Sequence, residues 1–222
     1  MKIGVRLSRR FDDAGDYLAD ARALDSAGVD SLWLDEAGLD PWLLLGGIAA
    51  VTGRARLVAP IAAVDGLAAE SLHGRVETLQ RLSRGRGVLA VAGLEQEPRG
   101  LDAIVHTAQR AGSCVLLQAR SDRDATVAGR STSGVVARDQ SAEAVRSIVE
   151  VLAREREESG PPFEVWATME MPDDRETWRK ARAEYEAAGA TGVIVAFDAR
   201  LLDLLRNGDE EDDRSDLGLA QG

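Results

Sequence analysis

Eight short apolar segments recur along the chain, and the stretches between them carry the apolar spacing of amphipathic helices. Most of these segments lack polar alternation, which indicates strands covered on both faces, as in a parallel sheet enclosed by helices. Eight such units predict an α/β protein with a (β/α)8 TIM barrel, and an open doubly wound sheet is the alternative. The segments are residues 2–7, 31–34, 55–61, 87–93, 113–119, 133–138, 163–171 and 192–197.

The predicted barrel is compact, because 222 residues lie near the lower end of the range for this fold. The stretch QARSDRDATVAGRSTSG, between the fifth and sixth segments, leaves room for only a turn or two of helix, which allows for one eroded βα unit. No G-x-G-x-x-G turn follows the first strand, which disfavours a dinucleotide site there. We therefore predict a single barrel domain over residues 1–206.

Charge and composition indicate which classes of partner and which cellular compartment to expect. The formal net charge is -11, and residues 207–222 hold six acidic residues and one arginine, so they are expected to form a disordered acidic tail. An acidic protein is a poor ligand for nucleic acid or for an anionic membrane surface. No apolar run approaches a membrane span and no signal peptide is visible. With one cysteine, Cys114, we expect a reduced, cytoplasmic protein.

In a barrel of this kind, chemistry gathers at the carboxyl ends of the strands. Asp35 and Glu36 follow the second predicted strand directly, where a carboxylate could act as a base or contact a cofactor ring. Adjacent residues of an extended chain point to opposite faces, so at most one of the two is expected to face the barrel mouth. The alternative is that either acid caps the next helix or pairs with an arginine.

Other strand ends supply candidates for binding a cofactor. Ala92 and Gly93 end the fourth segment, where glycine lets the backbone approach a ligand, and Glu95 follows them. Gln118 and Arg120 end the fifth, and an arginine there could hold an anionic cofactor tail. A solvated rim is the alternative for each of these residues. Further charged residues at strand ends are Glu97, Arg138, Asp198 and Arg200.

Motifs for other chemistries do not appear in the sequence. His73 and His106 both fall within helical patterns and not at strand ends. The sequence has no metal-ligand cluster, no serine–histidine–acid set and no P-loop. We therefore predict no metal site.

Four segments, in order, carry a resemblance to a known family: KIGVRL, AGVDSLWLDE, DPWLLLGGIAAVTGRARLVAPI and ETLQRLSRGRGVLAVAG. They resemble the luciferase-like monooxygenases, which include bacterial luciferase-type flavin enzymes and deazaflavin-dependent oxidoreductases. The resemblance covers residues 1–93 well and the last two units more loosely. It implies a (β/α)8 barrel that binds FMN or a deazaflavin (coenzyme F-420) in its mouth and moves a hydride or activates oxygen.

The chain departs from this family in two places. Many deazaflavin members carry a histidine after the second strand, whereas DEAGLDPW has none, so only Glu36 or Asp35 could take that place. Members are also longer, and most of the missing length falls after Gly93. The resemblance therefore implies a shortened oxidoreductase or monooxygenase acting on a small molecule. The alternative is a degenerate, non-catalytic barrel that binds a ligand or pairs with a full-length paralogue.

The family also implies a mode of assembly. Luciferase-type barrels commonly pair through helices of their early units, and DPWLLLGGIAAV offers an unusually apolar helix for such a contact. A homodimer is therefore expected.

Overall fold

A computed structural model of the protein describes residues 1–61, 69–92, 99–138, 141–156 and 160–206, and the predicted acidic tail lies outside them. Eight parallel strands, paired in chain order, close into a barrel with a helix after each strand, which confirms the (β/α)8 prediction. The strands are β1 (Lys2–Arg9), β2 (Ser31–Gly38), β3 (Arg56–Ile61), β4 (Gly87–Val91), β5 (Cys114–Ala119), β6 (Gly134–Ala137), β7 (Glu164–Thr168) and β8 (Gly192–Ala196). The helices are α1 (Ala14–Ser26), α2 (Pro41–Val51), α3 (Ala69–Ser83), α4 (Arg99–Arg110), α5 (Asp122–Ser131), α6 (Ala142–Glu155), α7 (Arg175–Ala187) and α8 (Arg200–Arg206).

The fifth unit is complete, so the eroded unit that the spacing allowed is not observed. Helix α5 spans ten residues, because only two residues separate it from the strand on either side. Ser121 caps its first turn by accepting a hydrogen bond from the main-chain nitrogen of Asp124. Gly129 lets α5 approach α6 closely, since a Cβ there would lie 3.2 Å from Leu152 Cδ2. Short linkers and small side chains fit a full helix into a stretch that looked too short.

Two tryptophans fill the interior of the barrel. Trp33 on β2 and Trp166 on β7 meet edge to face, with ring centroids 5.5 Å apart. Glycines on the neighbouring strands make room for them: a Cβ on Gly4 would lie 2.5 Å from Trp33 Nε1, and one on Gly192 would lie 2.6 Å from the Trp166 ring. The interior is therefore a packed core below the barrel mouth.

A charged cluster lies at the amino ends of the strands, on the side of the barrel opposite the mouth. Glu164, the first residue of β7, accepts hydrogen bonds from Lys2 Nζ at 2.5 Å, from Arg56 at 2.7 Å and from Trp166 Nε1 at 3.0 Å. These contacts join the starts of β1, β3 and β7 across the barrel interior. We infer from this geometry that these contacts hold the barrel closed at its amino end.

Candidate active site

A small cavity of about 50 Å³ opens where the strands end at their carboxyl termini. Its apolar floor is formed by Trp33, Val58, Pro60, Ala90, Val136 and Ile194. Its polar lining comes from Arg6, Asp35, Glu36, Gln118, Arg138 and Thr168. Residues 62–68, 93–98 and 139–140, which follow β3, β4 and β6, lie outside the described residues, so this cavity is the part of the mouth that the described residues form.

Asp35 and Glu36 both line this cavity, so the prediction that at most one of them faces the mouth is wrong. Regular pairing of β2 with β3 ends at Trp33, and the pairing of β1 with β2 shifts register between Leu7 and Arg9. The strict alternation of side chains holds only while a strand stays in regular register. The irregular end of β2 turns two consecutive carboxylates towards one space.

Glu36 reaches across the mouth from β2 to β6, where its carboxylate accepts a hydrogen bond from Arg138. That hydrogen bond lowers the pKa of Glu36; burial opposes it, while the charge of Arg138, the Gln118 side chain and the charge of Arg120 add to the lowering. Glu36 is therefore ionised at neutral pH. Such a carboxylate serves charge pairing and hydrogen-bond acceptance better than proton donation.

Asp35 has a different environment. Its Oδ1 lies 3.6 Å from Arg6 Nε, and 43% of its side chain is exposed. Asp35 thus keeps a looser ion pair than Glu36 does. Arg6 itself was missed by the strand-end rule because it lies within β1, although a charged residue at the alternate position after Gly4 was a usable signal.

Gln118 has a fixed orientation at the cavity. An ionised carboxylate only accepts hydrogen bonds, so Gln118 must turn its amide nitrogen towards Glu36. Its carbonyl oxygen, Oε1, is then directed elsewhere; it is buried and has no hydrogen-bond partner among the described residues. A buried acceptor without a partner costs about 1–3 kcal/mol. Among the described residues nothing donates to this oxygen, so it is available to a ligand or a water molecule that donates a hydrogen bond.

The other predicted binding residues have varied positions. Arg120 anchors the start of α5 by donating its main-chain N–H to Asp124, and its charge reaches Glu36. Ala92 is half-buried just after β4 and donates its main-chain N–H to Ile61, while Ala90 is the residue of that segment that lines the cavity. Gly93, Glu95 and Glu97 lie outside the described residues.

At the end of β8 the solvated rim is observed. Arg200 pairs with Asp198 and with Asp173; Arg200 and Asp173 are well exposed, and Asp198 is partly exposed. Thr168, at the end of β7, was not predicted and lines the cavity. In the described part of the chain, no three metal-ligating side chains come together and no helix is long and apolar enough to cross a membrane.

Comparisons with known proteins agree with this picture at the level of the fold. The sequence matches no family model and no curated protein. The structure is similar to the coenzyme F420 dependent tetrahydromethanopterin reductase of Methanopyrus kandleri, with a TM-score of 0.74 and 11% identity over 94% of this chain and 97% of that one. It is equally similar to an F420-dependent secondary alcohol dehydrogenase solved with an F420-acetone adduct, with a TM-score of 0.74 and 13% identity over 93% and 97% of the chains.

A third similar structure is the monooxygenase RslO1 of Streptomyces bottropensis, with a TM-score of 0.62 and 17% identity over 85% of this chain and 78% of that one. The predicted resemblance to luciferase-like monooxygenases and F420-dependent reductases is thus confirmed in structure. At sequence identities this low, structural similarity supports a shared fold, and the activity must be argued from the residues of the site.

Proposed function

We propose that this protein is an oxidoreductase or monooxygenase that uses FMN or the deazaflavin coenzyme F-420 on a small-molecule substrate. The observation that carries the proposal is the cavity at the carboxyl ends of the strands, where the buried Oε1 of Gln118 has no hydrogen-bond partner in the part of the chain that the structure describes. The names of two proteins that share the fold state dependence on F420, and a third is a monooxygenase.

Two features of the mouth suit a ring of this kind chemically. An apolar floor suits a flat aromatic system, and the Gln118 oxygen suits the N–H donor that flavin and deazaflavin rings both present. Arg120 would hold an anionic cofactor tail, and Ala92 lies on the β4 side; Gly93 and Glu95, also expected to contact the cofactor, lie outside the described residues. When bound, the ring supplies the hydride transfer or oxygen activation, and the protein orients and shields it.

The other side chains of the site have distinct proposed roles. The Glu36–Arg138 pair ties the ends of β2 and β6 together and sets the orientation of Gln118. Asp35, which is only loosely paired with Arg6, is the group that would accept or deliver a proton at its Oδ1. Trp33 and the packed interior beneath it exclude water from below.

Replacing Gln118 with leucine is expected to weaken cofactor binding about tenfold, because a donor on the ring would lose a buried acceptor worth roughly 1–3 kcal/mol. Fluorescence titration of the apo-protein with FMN and with F-420 measures this change. Gln109→Leu, an exposed position on α4, is the matched control and should bind as the wild type does. Wild-type affinity in Gln118→Leu would contradict the assigned role.

The alternative of a non-catalytic barrel has one observation in its favour, the small volume of the cavity that the described residues form. The same titration separates the two functions. Saturable binding of FMN or F-420 by the wild type supports the oxidoreductase, whereas no binding of either at high micromolar concentration overturns it. In the second case, co-purification with a full-length paralogue becomes the measurement of choice.

We further propose that two copies of the chain pair through α2 and α3. These helices enclose an apolar groove, and the leucines on it are unusually exposed: 79% for Leu43 and 55% for Leu82. Apolar patches of this kind mark contact surfaces. A twofold axis would bury the same patch on both copies.

Leu43→Glu is expected to weaken this dimer at least tenfold, because it places a charge in the apolar contact and removes roughly 2 kcal/mol of leucine burial. Light scattering after size exclusion, over a range of concentrations, measures the change. Ala103→Glu adds the same charge at an exposed position on α4 and should leave the dimer intact. A wild type that stays monomeric at high concentration would exclude the pairing.

A further inference from the structure

A buried guanidinium lies beneath the acidic end of β2. Arg9, the last residue of β1, is only 7% exposed. It donates hydrogen bonds to two main-chain carbonyl oxygens, Leu39 O at 2.8 Å and Glu36 O. Its Nε is buried without a partner among the described residues. Its hydrogen-bond acceptors among the described residues are thus two carbonyl dipoles, and burial of a charge held in this way is costly, which points to a requirement other than packing.

The main chain of Arg9 contacts the same end of β2 as its side chain does. Leu39 N donates to Arg9 O at 3.0 Å, so the side chain and the main chain of Arg9 both bind Leu39. Gly38 has φ +133°, and a Cβ there would lie 2.5 Å from Arg9 O, so only glycine fits at this approach. The register shift between Leu7 and Arg9 begins at this point. The irregular end of β2 is thus folded around Arg9.

We propose that Arg9 is a positioning residue for Glu36, which holds the main chain at that residue so that its carboxylate reaches Arg138 across the mouth. Arginine fits this role because its rigid planar fork offers a separate nitrogen to each of the two carbonyl oxygens, whereas a lysine offers a single nitrogen on a flexible stem. Arg138, Arg120 and Gln118 face the Glu36 carboxylate.

The charges of Arg9 and Asp35 both reach Tyr17 of α1. Burial and then the charge of Asp35 raise the pKa of Tyr17 to about 12, against the effect of Arg9. The consequence of Arg9 for ligand binding rests on the proposed function, since it acts through the Glu36–Gln118 contact. Its effect on Glu36 itself needs no ligand.

The test is a carboxyl-detected NMR titration of Glu36 in Arg9→Lys, Arg9→Met and Gly38→Ala. In each variant the pKa of Glu36 is expected to rise towards its ordinary value, because the carboxylate no longer reaches Arg138. Arg10→Met, at the exposed neighbouring position, should leave that pKa unchanged. A folded Arg9→Lys or Gly38→Ala with the wild-type pKa would overturn the proposal, even if Arg9→Met does not fold.

A second readout uses FMN and F-420 binding. The Arg9 variants are expected to weaken the affinity of whichever cofactor the wild type binds, by about three- to tenfold, and this loss should vanish in a Glu36→Gln background. An equal loss in that background would mean that Arg9 does not act through Glu36. A wild type that binds neither cofactor would overturn the proposed function and leave the NMR result standing.

Discussion

Replacing Glu164 with glutamine is expected to lower the free energy of unfolding at neutral pH by about 3 kcal/mol. Burial alone would raise the pKa of Glu164, but hydrogen bonds from Arg56, Lys2 and the Trp166 indole, with the charge of Arg56, outweigh it and lower that pKa from 4.5 to about 2. Each pKa unit corresponds to about 1.4 kcal/mol between the two protonation states. The side chain is 18% exposed, so water screens these contacts little.

The sign of the pH dependence follows from the direction of this shift. Glu164 binds its proton more weakly in the folded protein than in the unfolded chain, so its contribution is present above about pH 4.5 and is lost as the pH falls towards about 2. The stability of Glu164→Gln should therefore fall less steeply than that of the wild type over this range. Urea unfolding at pH 7, 5, 4 and 3 measures both effects.

Glu77 provides the control for this prediction. It forms an exposed i,i+4 ion pair with Arg81 on α3, and such pairs contribute only about 0.3–0.5 kcal/mol. Glu77→Gln should leave the unfolding free energy and its pH dependence almost unchanged. If both variants lose the same stability, the cluster around Glu164 does not hold the amino end of the barrel together.

Much of the fold could be predicted because buried strands are visible in the sequence as apolar segments. Each of the eight apolar segments contains or overlaps an observed strand, since a strand covered on both faces must be apolar throughout. The prediction faltered at α5, where the number of residues between the strands suggested too little room. Packing made the difference there: Ala125, Ala128 and Gly129 are buried, so α5 lies close to its neighbours without long side chains.

The candidate site was predictable only where topology decides it. The rule that chemistry gathers at strand ends placed Glu36, Gln118 and Arg138 at the mouth, and the structure brings these three together. Their mutual geometry could not be predicted, because it depends on a register shift between β1 and β2. That shift involves contacts between residues about 30 positions apart, among them those of Arg9 with Gly38 and Leu39. No local pattern in either strand encodes it.

Trp166→Ala is expected to have the largest effect on stability, a loss of about 3–5 kcal/mol, which is typical for removing a fully buried tryptophan. Trp166 is 1% exposed and is the edge-to-face partner of Trp33. Its indole also donates one of the hydrogen bonds that Glu164 accepts. The variant would therefore lose apolar contacts, an aromatic pair and part of the charged cluster together.

Rescue by indole distinguishes a cavity from a general loss of structure. Removal of the Trp166 ring should leave a hole of indole shape, because Gly192 beside it has no side chain to fill the space. Added indole should therefore raise the melting temperature of Trp166→Ala but not that of the wild type. Trp42→Ala, where the ring is only half-buried on α2, should cost less and show no rescue. If indole fails to stabilise Trp166→Ala although the variant is folded, the neighbouring strands have collapsed into the space. The interior would then be less rigid than its packing against Gly4 and Gly192 indicates, and the floor of the candidate site would have moved with it.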